Sequence, residues 1–184
     1  LFAALLVGFT LAAAESATRA AYPHHLDWWK LWTYRGTTAV ATRVAPERLA
    51  GARLPNVTAA DDRDWGLAAN SVDLAFTSLN YHDLINLKVD RPALLKGVLT
   101  ILKPGATFAV IDHAAVDGSG ARDVGTLHRV DESVVVSEIT GAGFELVDTS
   151  ALLRHPDDDR TLPVFDPKIR GKTDQFILKF RKPA

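Results

Sequence analysis

The chain has 184 residues, 47% of them hydrophobic and 23% charged, with a formal net charge of −1. That describes one ordinary globular domain with enough apolar residues for a real core, and the near-neutral balance, with no basic stripe, argues against a nucleic-acid surface. No cysteine is present, which excludes disulfides, thiolate nucleophiles and cysteine-ligated zinc.

The first charge is Glu15. Leu1 to Leu11 have the length of a signal-peptide core, and Ala12-Ala13-Ala14 offers the small residues of a cleavage site, so residues 1–14 read as a signal peptide whose start is truncated. A buried N-terminal helix is the alternative. The stretch is too short for a membrane span of about 20 residues. The chain so read is periplasmic or secreted, or cytoplasmic if 1–14 is not a signal, with no stable membrane insertion after signal removal. Residues 15–35 read as an irregular or helical segment containing DWWKLW, in which a helix would put Trp28, Trp29 and Trp32 partly on one face for core packing.

Residues 36–184 read as one α/β domain. TTAVATRV (37–44) is a short strand, APERLAG a helical turn or two, and NVTAAD (56–61) a second short strand. Asn70-Ser71 turns into the strand SVDLAFTSL. After Asp90, a natural N-cap, and Pro92 in the first turn, RPALLKGVLTIL has helical spacing. Lys103-Pro104-Gly105 stops it, and ATFAVID is the next strand, which completes the βαβ unit of a parallel sheet. Asp131 caps a helix to about Ile139 that Gly141 and Gly143 end; ELVDTSALL and QFILKF are the last strands, the final one expected antiparallel beside its predecessor after a long polar connection. The acidic run Asp157-Asp158-Asp159 and the basic residues Lys179, Arg181 and Lys182 read as solvated surface.

Two of the apolar strands end in polar clusters: Asn80, Tyr81, His82 and Asp83 after one, Asp112 and His113 after the other. Ligands of open parallel sheets bind beyond the carboxyl ends of the strands, and strands joined by one crossover lie close together, so both clusters are expected on one rim. Histidine is suited to moving a proton near neutral pH, aspartate to orienting it, and asparagine to holding a polar group. His82, Asp83, Asp112, His113 and His128 are also acceptable metal ligands, but no HxH, HxxxH or HExxH spacing occurs and no metal is assigned. The competing structural reading has Asn80 and Asp83 capping a turn with His82 partly buried.

SVDLAFTSLNYHDL, LKPGATFAVIDHAA, GTLHRVDE and GAGFEL, with the C-terminal VFDPKIRGKTDQFILKFRKP, together resemble the second half of class I S-adenosylmethionine-dependent methyltransferases. The likeness is greatest to a group of exported bacterial methyltransferases with YHD and DH strand ends, and it covers residues 55–184 well and 36–54 loosely. The resemblance implies a Rossmann-like, mostly parallel sheet with helices on both faces and an antiparallel last strand. It also implies S-adenosylmethionine as cofactor and a small-molecule substrate. By position, Asp61 or Asp62 would lie beside the adenine, and Asn80 and Tyr81 would contact the cofactor. Asp112, His113 and His128 would line the substrate side, with His82 or His128 as general base where one is needed. The family's glycine-rich loop and the acid that holds the ribose are not found, so the N-terminal βα unit reads as incomplete. Gly118-Ser119-Gly120 follows the wrong strand and reads as a flexible loop. The alternatives are a degenerate, non-catalytic binding protein of this fold and, in another class, a metal-dependent hydrolase using the His/Asp rim.

Overall fold

The computed structural model describes residues 67–184 throughout; before them it describes only the backbone of four strands, β1 (Ala3–Val7), β2 (Leu31–Arg35), β3 (Thr38–Thr42) and β4 (Val57–Ala60). The first helical turns expected at 45–51, together with Trp28, Trp29, Asp61 and Asp62, lie outside the described residues. Then follow β5 (Val72–Ser78), α1 (Tyr81–Asn86), α2 (Arg91–Ile101), β6 (Leu102–His113), α3 (Glu132–Gly141), β7 (Glu145–Ser150) and β8 (Gln175–Arg181).

One eight-stranded sheet runs in the order β4-β3-β2-β1-β5-β6-β8-β7. The expected strands around 37–44 and 56–61 are β3 and β4, paired parallel. Two strands differ from expectation. Residues 3–7, read as part of a signal-peptide core, form β1, parallel to β5. Trp32, read as helical, lies in β2, which is antiparallel to β1 and β3. The last strand is antiparallel and beside its predecessor β7, as expected, and it inserts between β6 and β7. Among the described residues no helix is long and apolar enough to cross a membrane.

Local chemistry explains the βαβ unit. The Asp90 side chain accepts from the Ala93 N–H at 3.1 Å and caps α2, with proline at the first turn. Leu94, Leu95, Val98 and Ile101 are the buried face of α2, and they pack with Val72, Leu84, Phe108 and Val110. Lys103-Pro104-Gly105 does end the helix, but the backbone is already extended at Leu102 and the tripeptide is taken up as an irregularity in the β5–β6 register between Val72 and Leu74. Asp131 caps α3, accepting from Ser133 N–H at 2.9 Å, and Gly143 leaves the helix at φ 105°, a conformation that suits glycine. On β8, Phe176, Leu178 and Phe180 alternate inward, and Phe180 and Phe144 flank Phe108 with ring centroids 6.3 and 5.4 Å away.

β5 and β6 are parallel neighbours, Ser78 opposite Ile111. Their carboxyl ends therefore lie side by side, which brings residues 80–83 and 112–113 to one rim.

Candidate functional site

β5 leaves the sheet through Leu79, a non-glycine residue at φ 52° whose N–H still donates to Ile111 O at 2.8 Å. A bulky side chain in the left-handed region stores strain of about 1–3 kcal/mol, which persists where neighbouring contacts impose it. The turn it makes starts α1 at once, so Asn80 stands at its N-cap position and His82 and Asp83 in its first turn, at the strand end.

Asp112 organises the rim. It is fully buried, and its Oδ2 accepts from the His82 backbone N–H at 2.8 Å. Its Oδ1 accepts from the His113 N–H at 2.7 Å and lies 2.7 Å from His82 Nδ1. With the proton on Nδ1, the Nε2 lone pair of His82 faces the rim. Burial alone would raise the Asp112 pKa, but His82 and the hydrogen bonds it receives hold it below the usual carboxylate value. For His82 burial works downward, yet the Asp112 and Asp83 carboxylates leave it above its ordinary value.

Around that pair stand three other groups. Asp83 Oδ1 is 3.5 Å from His82 Nε2 and 3.7 Å from His128 Nδ1. The His128 ring meets that of His82 edge-on at 5.5 Å and that of Phe165 at 4.9 Å. His128 itself sits at φ 55°. Burial, then His82, lower its pKa. His113, its ring 6.1 Å from that of His82, lies with Nδ1 2.9 Å from Thr173 Oγ1. Burial pushes its pKa down from 6.5 to about 4, so it is neutral at physiological pH.

Asn80 occupies the N-cap position of α1 without making the side-chain cap bond. Its Oδ1 is buried and has no hydrogen-bond partner among the described residues, as is true of Thr77 Oγ1 on the strand before it. A buried acceptor left unmade costs about 1–3 kcal/mol, so such an atom at a strand end calls for an explanation.

The residues expected to meet do so in part. Asn80, His82, Asp112, His113 and His128 converge on the rim. Tyr81 does not: its ring is buried in the core and its hydroxyl donates to Glu138 Oε2 at 2.8 Å, while Arg91 holds both Glu138 oxygens. Burial, with the Glu138 charge, raises its pKa. Asp61 and Asp62 lie outside the described residues. Asp83, Thr173 and Phe165 complete the site; only Asp83 carried a signal in the sequence, as an acceptable metal ligand beside His82. The other two come from the connection 151–174, whose length was the only hint.

That connection is fixed by Asp158, which was expected on the surface. It is buried, and the fully buried guanidinium of Arg129 lies on it, Nη1 to Oδ2 at 2.9 Å. Arg129 also donates to Ala114 O and Leu162 O, both at 3.0 Å. The Gly118-Ser119-Gly120 segment is tied to the start of α3, where Gly120 N–H donates to Asp131 Oδ2 at 3.2 Å.

Neither a protein-family model nor a curated protein sequence matches this chain. Solved structures do. The 4+2 cyclase SpnF matches with a TM-score of 0.54 at 18% identity, over 79% of this chain and 66% of its own, so the chain spans about two thirds of that enzyme's length. An S-adenosylmethionine-dependent methyltransferase from Methanosarcina mazei matches with a TM-score of 0.55 at 14% identity, over 79% and 82%. Another, from Mesorhizobium loti, matches at 0.50 and 16%, over 79% and 80%. At such identities the likeness is one of fold: the chain has the Rossmann-like fold of S-adenosylmethionine-dependent class I methyltransferases.

Proposed function

We propose that this protein transfers a methyl group from S-adenosylmethionine to a small molecule held on the rim of Asn80, His82, Asp83, His113 and His128. The observation that carries the reading is the buried Oδ1 of Asn80, without a hydrogen-bond partner among the described residues, at the carboxyl end of β5 in a sheet of this fold. S-adenosylmethionine carries an ammonium group that can donate to such an acceptor, so Asn80 fits its amino-acid end, with Asp61 or Asp62 assigned to the adenine. When bound, the cofactor supplies a methyl group on a cationic sulfonium. What remains for the protein is positioning, and in-line displacement gains much from it. Asp112 fixes His82 in the tautomer whose Nε2 lone pair faces a substrate hydroxyl or amine, and neutral His113 and Phe165 flank that place.

The ribose end is less well provided. β3 ends at Thr42, followed by Arg43, where a carboxylate would be wanted, and a single glycine, Gly8, follows β1. These absences favour the second reading, a binding protein of this fold without the transfer step. The cyclase among the matching structures illustrates that the fold serves more than one reaction. Calorimetric titration of S-adenosylmethionine and its demethylated product into the full chain separates the readings. Micromolar binding that falls at least tenfold in Asn80→Ala supports methyl transfer; a folded chain that binds neither compound overturns it. Export belongs to the same proposal, with cleavage after Ala14 removing β1 from the sheet. Sequencing of the mature N-terminus tests it: a start at Glu15 supports export, and a retained 1–14 overturns it.

A further inference from the structure

His82, Asp83 and His128 present one ligand atom each within a sphere where all three lie no more than 4.8 Å apart. Two of the separations, 3.5 and 3.7 Å, are longer than the 2.7–3.2 Å or so of a hydrogen bond. They match a different spacing. Nitrogen and oxygen ligands about 2.1 Å from a four-coordinate ion stand roughly 3.4 Å from one another. The third separation, between the two imidazoles, is within 4.8 Å.

Three further features point the same way. His82 Nδ1 lies 2.7 Å from the buried Asp112 carboxylate, the arrangement in which an outer carboxylate fixes a ligand histidine and leaves Nε2 for the metal. Asp83 and Asp112 place two carboxylates around one imidazole, and among the described residues neither is paired with a lysine or arginine. A general base would need one lone pair; here three converge. His128 is also held at φ 55°, a backbone conformation outside the ordinary range for a side chain whose ring is then aimed at the cluster.

We propose that His82, Asp83 and His128 form a binding site for a divalent transition cation of the zinc or iron(II) class, with Asp112 as the outer carboxylate and the remaining coordination positions open to the rim. A two-histidine, one-carboxylate set with open positions suits such ions. The ion would hold and acidify a hydroxyl or water on the rim, which tells how the rim fixes an oxygen-bearing ligand. The site does not depend on methyl transfer: the metal site and S-adenosylmethionine binding are measured separately.

The test is titration of cobalt(II) into the untagged, chelator-treated full chain, followed by visible absorption and calorimetry. The expected result is one equivalent bound with ligand-field bands in the visible. Affinity should fall at least tenfold in Asp83→Asn and in His128→Asn, asparagine being a residue that tolerates the left-handed backbone. It should be unchanged in His155→Gln, outside the cluster. Circular dichroism establishes that each variant is folded. Failure of the folded parent to bind one equivalent overturns the site, as does binding that survives both Asp83→Asn and His128→Asn. A chain that binds cobalt but not S-adenosylmethionine keeps the metal site and loses methyl transfer; the reverse result keeps methyl transfer and loses the metal.

Discussion

Asp112 serves the fold and the site with the same two oxygens. Three donors converge on a carboxylate that has no solvent, so Asp112→Asn turns an amide N–H₂ toward at least one of them and leaves a buried donor unmade. Breaking one side of such a pair costs about 3–5 kcal/mol. Urea denaturation of Asp112→Asn is therefore expected to show a loss of that order, with far-ultraviolet dichroism unchanged before the transition. A loss below about 1 kcal/mol would mean that Asp112 does not organise the rim.

His113 makes a prediction about pH. Its folded pKa of about 4 lies below the ordinary 6.5, so between those values the unfolded chain takes up a proton that the native site refuses. Stability then rises with pH in that window and is lost on acidification from 6.5 toward 4, by up to about 3 kcal/mol for this one group. His82, held above its ordinary value, works in the opposite direction and only toward the upper end of the window, while His128, also lowered, adds in the same direction as His113. In chelator, the midpoint of urea unfolding should fall across this window, and His113→Gln should flatten the curve. Parallel curves for the two proteins would contradict the assignment.

At the scale of elements, the connection 151–174 depends on one buried charge pair. Arg129 spends its donors on Asp158, Ala114 O and Leu162 O, and Asp158 Oδ2 in turn accepts from Asp174 N–H at 2.7 Å. Arg129→Ala strands a buried carboxylate and should cost about 3–5 kcal/mol, whereas replacing both partners with apolar residues of similar volume should cost much less. Amide exchange locates the effect: protection should drop first within 151–174 and at His113, which the connection touches through Thr173. Uniform loss over β5 and β6 would show that Arg129 holds the core and not the connection.

The same element marks the limit of what the sequence discloses. α2 and α3 were legible because their signals are local: Asp90 with Pro92, Asp131 with Gly143, and apolar spacing between. β5, β6 and β8 were legible as apolar runs, and the pairing of the two polar strand ends followed from the crossover rule. The burial of Asp158 was not, since an acidic triplet looks solvated until a fully buried arginine 29 residues away is placed on it. Tyr81 misled for a similar reason: a short helix begins two residues after a left-handed Leu79, and the turn sends the phenol to Glu138, 57 residues on. β1 and β2 were missed because an uncharged run and a tryptophan cluster each have an ordinary reading as something else.

For the molecule as a whole, the insertion of β8 decides cooperativity. It pairs with β6 over Thr107–His113 and with β7 over Glu145–Ser150, so the last strand made is an inner strand of the sheet. It also backs the rim, with Asp112 opposite Phe176 and His113 opposite Gln175. Phe176, Leu178 and Phe180 are fully buried, and removing even one large side chain there costs about 2–5 kcal/mol, against a total of about 5–15 kcal/mol for a typical domain. A chain ending at Asp174 loses all three, leaves the β6 and β7 edges unpaired, and should show no cooperative thermal transition. Leu178→Ala is the milder version: it should keep one transition, shifted to lower temperature, and weaken ligand binding at the rim only as the folded fraction falls. If the truncated chain instead melted cooperatively with β5 and β6 protected in amide exchange, the βαβ unit would be the folding core and β8 a later addition. Rim geometry would then survive without the strand that backs it.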